Sequence, residues 1–206
     1  MDLANFVFSR QVHGAGVRVV TAADRSSGAF ALDEPVPDGD VLVTADPAVV
    51  LAILAADCVP VVLHDPAAGV LACVHAGWRG TVARACAAAV HAMAGLGARP
   101  ASIIAGIGPA VGADRYQVGP EVAAVVETEF GATGIIRPDS TGHWLLGLAA
   151  ANRLVLRDAG LPDKNIHSTT YMTGDGLFFS DRAVRPCGRL ALIARLRRPS
   201  QEAHSE

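Results

Sequence analysis

The sequence predicts an α+β fold, and three observations carry that expectation. Strand-like and helix-like segments are interleaved irregularly rather than in the regular βαβ alternation of a doubly wound sheet. At least one β-hairpin is legible, in residues 58–75 (CVPVVLHDPAAGVLACVH). No repeat, linker or apolar run of membrane-spanning length divides the 206 residues. Residues 1–196 therefore read as one domain and residues 197–206 as a polar tail, with Arg195, Arg197 and Arg198 a solvated terminus. Half of the chain is hydrophobic and 18% is charged, which excludes a disordered protein. The net charge of −3 argues against general nucleic-acid or membrane-surface binding. Residues 1–14 hold no basic and apolar leader pattern, and the four cysteines show no CxxC spacing, so reduced thiols in a cytoplasmic setting are expected.

Taken in order, residues 5–20 (NFVFSRQVHGAGVRVV) read as two short strands around a glycine-containing turn. Residues 22–38 are polar and punctuated by Gly and Pro, hence loop, and 40–44 (DVLVT) return as strand. The apolar run 49–56 is too short for a membrane span and reads as a buried strand. Residues 81–95 read as an Ala-rich helix capped by Thr81 and stopped by Gly95 and Gly97. A buried strand follows at 103–107. GIGPAVG (106–112) lacks the dinucleotide glycine spacing and reads as a tight wall lining a cleft. Residues 118–128 look helical with Pro120 near the start, 134–142 are loop, and 143–146 a short strand. Residues 148–159 form an amphipathic helix closed by Gly160 and Pro162, and 165–171 a strand before a Gly-rich turn at 173–176. Segments 177–182 (LFFSDR) and 189–196 (RLALIARL) complete the ordered chain.

The hairpin carries chemistry. Asp65-Pro66-Ala67-Ala68 is turn chemistry, and if His64 faces Gly69 across it, Cys58 faces His75 at the open end. One metal ion could then take both side chains. The chain continues from His75 through Ala-Gly-Trp-Arg-Gly-Thr into the helix, so a thiolate, an imidazole and a helix start converge. His13, between Val12 and Gly14, has its ring direction fixed by a tight backbone; on its own it reads as a satisfied structural histidine rather than a ligand.

Read in this order, QVHG, ADCVPVVL, VHAGWRGT, GIGPAVG, ANR and FFSDR resemble the YfiH/laccase-domain family, first called multicopper polyphenol oxidases. The resemblance runs from about Phe8 to Leu196; QVHG alone is weak, whereas ADC with HAGWRG at this separation is specific. It implies a YfiH-like fold, layered α/β/β/α with mixed β-sheets, and zinc-dependent purine nucleoside phosphorylase activity with adenosine deaminase side activity. The substrates implied are adenosine or inosine, or methylthioadenosine, together with inorganic phosphate. It also implies that His13, Cys58 and His75 hold Zn²⁺ and form the catalytic centre. The chain departs from the family in four places. It starts ten residues ahead of Gln11, where relatives carry several dozen. Arg115-Tyr116-Gln117-Val118-Gly119 stands where a Cys-Tyr-Glu-Val-Gly stretch is usual, Ser168-Thr169 replaces a late cysteine, and Asp181 separates FFS from Arg182.

Three protein ligands leave zinc an open fourth position, the catalytic rather than the structural pattern, where a bound water has a pKa of about 7. Deamination requires hydroxide attack at C6 of adenine; phosphorolysis requires phosphate attack at C1′ of ribose and hence an anion cradle. Arg79 at the helix start and Arg182 are the cradle candidates, or else salt-bridge partners. Gln11 either hydrogen-bonds base or ribose or caps a strand. Asp57 points to the face opposite Cys58 or orients a histidine. Cys73 shares the His75 face and reads as a buried thiol, Cys86 as core and Cys187 as a loop thiol. Cu²⁺ could occupy the same site. A true multicopper oxidase needs more ligands than this chain offers, because His64, His91, His143, His167 and His204 show no mutual ligand spacing. Two rival readings are a cysteine hydrolase of cell-wall precursors, with Cys58 as nucleophile and His75 as base, and a degenerate non-catalytic zinc-binding member. Oligomeric state, monomer or homodimer, is not legible.

Overall fold

The computed structural model describes residues 2–30, 38–139 and 142–197. Most of the polar tail and part of the loop expected at 22–38 therefore lie outside the described residues.

Alternating Val, Leu and Ala side chains build a six-stranded mixed sheet from β2 (Val17–Val19), β3 (Val41–Thr44), β5 (Val59–Asp65), β6 (Val70–Ala76), β7 (Ile104–Ile107) and β11 (Ile166–Ser168). Their spatial order is β11-β7-β5-β6-β3-β2, with the β5–β6 hairpin at the centre. All seven residues of β6 are buried, so this strand is covered on both faces. A three-stranded sheet, β1 (Phe6–Phe8), β4 (Val50–Ala55) and β12 (Leu190–Ala194), has β4 in the middle. A third sheet comprises β8 (Gln117–Val118), β9 (Ile136–Pro138) and β10 (Trp144–Leu146).

The period of two sorts side chains into two cores. Val41, Val43, Val61, Leu63, Val70, Ala72 and Val74 face the helices. Leu42, Leu71 and Cys73, on the opposite face, meet Val7, Leu51 and Ile53 between the six-stranded sheet and the sheet of β1, β4 and β12. The helices are α1 (Trp78–Val82), α2 (Ala85–Gly95), α3 (Pro120–Phe130) and α4 (Leu148–Asp158). α2 buries Ala85, Cys86, Ala89, Val90 and Met93, a stripe of mainly small residues that lets the helix lie close to β6 and β3.

Several expectations change here. The single helix over 81–95 is two helices, because Arg84 adopts a left-handed conformation (φ 58°) between α1 and α2. Thr81 does not cap: it lies inside α1, donates its hydroxyl to the Gly77 carbonyl at 2.9 Å and accepts from Asn152 at 2.8 Å. Asn152, of ANR, also accepts from the Cys86 thiol at 3.3 Å, which ties α4, α2 and α1 through one buried polar network. The strands within 5–20 do not pair with each other; β1 joins β4 and β2 joins β3, both in parallel. Residues 134–142 contain β9, whose alternation is too brief to read. The strand expected over 165–171 is only β11, and 177–182 is irregular.

Candidate metal centre

The β5–β6 hairpin delivers two of the expected ligands, but in a different register. Pro60 faces His75, Val59 faces Ala76 and Asp65 faces Val70, so Cys58 falls just before the strand, level with Gly77. The cause is the turn. Asp65 Oδ1 accepts from the amides of Ala67 and Ala68, the Gly69 amide donates to the Asp65 carbonyl, and Gly69 takes φ +64°. The loop is therefore Pro66 to Gly69, one residue on from the expected Asp65 to Ala68, which moves the partner of each residue by two. A shift of two conserves the face, and Cys58 and His75 still converge. Gly77 makes room for them: a Cβ there would lie 2.9 Å from Cys58 Sγ and 3.1 Å from the His13 ring. Gly80 does likewise for the Gly14 carbonyl, which a Cβ would meet at 2.9 Å.

His13 sits between β1 and β2 at φ 61°, and Asp40 holds it there. This fully buried carboxylate accepts from the amides of Val12 (3.2 Å), His13 (3.0 Å) and Gly14 (2.8 Å). Its Oδ1 also lies 2.8 Å from His75 Nδ1, which fixes that nitrogen as the donor and leaves Nε2 free as a ligand. Burial pushes the Asp40 carboxyl up, but the His75 ring and the amides of Gly14 and Val12 outweigh it and hold the group below its usual value. Partial burial and the neighbouring His75 hold the His13 ring below its ordinary value, favouring the neutral form that ligates metals. The ligand atoms of His13, Cys58 and His75 all lie within 4.8 Å of one another, a group that could hold a metal ion. Burial, then the charges of Asp57 and Asp40, push the Cys58 thiol up to about 11, while Arg189 acts in the opposite sense. Coordination would reverse this, since a metal deprotonates its thiol ligand.

The three side chains open onto a cavity of about 610 Å³ that Gln11, Arg79 and Arg182 also line, so all six expected site residues meet there. Arg79 stacks its guanidinium 4.3 Å above the Trp78 ring, and Arg182 lies 5.0 Å over Tyr116. Burial raises the Tyr116 hydroxyl to about 12, so it stays a donor at neutral pH. Gln11 is a backbone clip: its Nε2 donates to the Leu54 carbonyl at 2.7 Å and its Oε1 accepts from the Leu54 amide at 2.8 Å. Asp57 does not orient a histidine. Held at φ 83°, it accepts from Thr173 Oγ1 (2.6 Å) and the Arg182 amide (2.8 Å), anchoring the 173–182 segment beside Cys58. GIGPAVG lies behind the site, not on the cavity wall: the Gly108 amide donates to Pro60 and the Val111 amide to Asp57. Cys73 is locked in the inter-sheet core and burial drives it to about 12; Cys86 is equally buried, and Cys187 is half-buried near Arg189.

Sequence reasoning missed Asp40, Arg185 and Arg189. Asp40 precedes a strand in a generic Gly-Asp pair and gives no local signal of three amide partners 26 to 28 residues away. Arg185 and Arg189 could have been found by noting three arginines and one aspartate within nine residues of the FFSDR motif.

Fold and site together define a mixed α/β protein with a His/Cys/His group, able to hold a metal, at the mouth of an arginine-lined cavity. The family model of the multi-copper polyphenol oxidoreductase laccases matches residues 1–197, and the chain belongs to that family. It is 42% identical over 167 residues to a purine nucleoside phosphorylase of Deinococcus radiodurans, covering 77% of this chain and 58% of that one. It is 39% identical over 168 residues to adenosine deaminase RL5 from an unknown prokaryotic organism, covering 81% of this chain and 64% of that one. The chain thus spans less than two thirds of the length of these relatives. The crystal structure of YlmD from Geobacillus stearothermophilus superposes with a TM-score of 0.90 at 35% identity, covering 95% of this chain and 75% of YlmD. No helix among the described residues is long and apolar enough to cross a membrane.

Proposed function

We propose that this chain is a zinc-dependent purine nucleoside phosphorylase that acts on adenosine, inosine or methylthioadenosine and deaminates adenosine as a side activity. The observation that carries this reading is that one cavity brings together the metal-holding group, Arg79 and Arg182, and the rings of Trp78 and Tyr116. Its volume lies within the range of about 300–1,000 Å³ usual for small-ligand sites. The names of the Deinococcus radiodurans and RL5 relatives support both activities.

The donor set suits zinc: two imidazoles and a thiolate, one imidazole braced by a carboxylate, and a cradle that a Cβ at Gly77 would fill. When bound, the ion supplies Lewis acidity and an open coordination position. In phosphorolysis a phosphate oxygen bonds to ribose C1′ as the C1′–N9 bond breaks, its electron pair leaving with the purine, which takes up a proton. Arg79 and Arg182 hold the phosphate dianion in this reading, and their stacking on Trp78 and Tyr116 fixes where it sits. Tyr116 keeps its proton and donates to the ligand. Gln11 acts by bracing the His13 loop against β4 rather than by touching the base.

Against a cysteine hydrolase stands the Cys58 thiol itself, protonated at neutral pH unless a metal takes it. Against multicopper chemistry stands the ligand supply: His13, Cys58 and His75 are the one such group among the described residues. The test is chromatographic, with zinc-loaded protein and adenosine, with and without phosphate, beside Cys58→Ala. Phosphate-dependent adenine and ribose 1-phosphate, lost in the variant, are the expected result. Inosine formed irrespective of phosphate would make deamination the main activity, and no turnover at full zinc loading would leave a binding protein.

A further inference from the structure

The cavity holds more positive charge than one phosphate cradle needs. Arg79, Arg182, Arg185 and Arg189 line it, in a chain whose net charge is −3. Of the two carboxylates on the same wall, Asp57 is spent on Thr173 and the Arg182 amide. The other, Asp181, bridges two guanidinium groups: its Oδ2 lies 2.8 Å from Arg185 Nη2 and its Oδ1 3.7 Å from Arg189 Nη2. Arg189 further donates to the carbonyls of Cys187 (3.2 Å) and Gly188 (3.0 Å), and Arg185 to the Asp181 carbonyl (3.0 Å), so both heads are positioned by backbone as well as by the carboxylate. Two guanidinium groups converging on one carboxylate at a cavity wall present the geometry that a tetrahedral oxyanion would use.

We propose that Arg185 and Arg189 form a phosphate subsite in this cavity, and that the Asp181 carboxylate occupies it as an internal stand-in that a phosphate group must displace. This deepens the phosphorylase reading and rests on it for the identity of the ligand. Asp181 is a specificity-determining residue: it weakens phosphate binding and so sets the concentration at which the subsite fills. The side chain is about one third exposed, so the exchange takes place at the solvent boundary, where an ion pair is readily replaced. The phosphate group can come from two sources, inorganic phosphate or the 5′-phosphate of a nucleotide.

The experiment measures binding directly, by calorimetry on the full zinc-loaded chain, with inorganic phosphate and with adenosine 5′-monophosphate at fixed ionic strength. Wild type, Asp181→Asn and the charge-retaining Asp181→Glu are compared. Asp181→Asn is expected to bind inorganic phosphate about fivefold more tightly, the scale of one half-exposed ion pair, while Asp181→Glu stays near wild type. A gain confined to the nucleotide supports the subsite and assigns it to a 5′-phosphate. Equal or weaker binding of both probes by Asp181→Asn overturns the proposal, because a carboxylate that merely braces the loop would weaken binding when removed. If Asp181→Asn loses its cooperative thermal transition, Arg189→Gln decides: weaker phosphate binding supports the subsite and unchanged binding overturns it. Phosphate-dependent adenosine cleavage without the Asp181→Asn gain would sink this inference alone, and the gain in a chain without phosphorolysis would sink the phosphorylase reading alone.

Discussion

Among single residues, Asp40 has the widest reach, because one fully buried carboxylate holds the backbone that presents His13 and the ring nitrogen that orients His75. Asn in its place keeps the shape but surrenders one anionic acceptor, so some of the three amides and the His75 Nδ1–H lose their partner. Partners that orient a metal ligand are worth about 10–100-fold in metal affinity. Asp40→Asn is therefore expected to weaken zinc binding by about that factor, read by competition with a chromophoric chelator. An unchanged affinity would mean that the His13 turn and the His75 ring hold their positions without the charge. Cys58 and His75 stood out in the sequence because ligand residue types flanked a legible hairpin. Asp40 did not, because its importance lies wholly in contacts distant along the chain.

At the level of the element, the hairpin shows why register is harder to read than the strand pair itself. Composition located both strands, but the pairing depends on which residues the turn absorbs. That is settled by Asp65, whose side chain accepts from Ala67, Ala68 and Arg99. An aspartate before proline reads as turn chemistry; that its carboxylate would cap the loop and also hold the chain before the β7 strand is not visible locally. Burial raises the Asp65 carboxyl, but the three amides prevail and hold it below its ordinary value. A depressed folded value means the stabilisation is fully present above the unfolded pKa of about 3.9 and is lost as pH falls through the folded value. Asp65→Asn is expected to cost about 2 kcal/mol at pH 7, the scale of hydrogen bonds to a charged group. The difference from wild type should shrink as the pH is lowered below about 4. Denaturant unfolding of both chains from pH 7 to pH 3 measures it; a constant gap would show that the charge contributes nothing to the turn.

On the scale of the molecule, the three side chains that could hold a metal ion come from separate parts of the chain: the β1–β2 connection, the residue before β5 and the penultimate residue of β6. The fold class was legible because hairpin and helix signals are local, whereas the division into two cores depends on which face of β3 and β6 each side chain takes. An ion bound by all three would fasten the His13 loop, which Asp40 and the Gln11 clip on Leu54 otherwise hold, to the central hairpin. Binding to the folded chain only adds RT ln(1 + [L]/Kd), about 4 kcal/mol at a thousandfold excess over Kd. For a chain of 206 residues, each kcal/mol moves Tm by roughly 2–4 °C. Chelation of the wild-type protein should thus lower Tm by about 10 °C, and zinc should restore it. Cys58→Ala, with two ligands left, should melt near the chelated wild-type temperature and respond little to either treatment. Calorimetric melts of the two chains in chelator and in zinc make the comparison. A wild-type Tm indifferent to chelation would mean that the His13, Cys58 and His75 side chains are held in place by Asp40 and Gly77 packing alone, with no ion contributing to the fold.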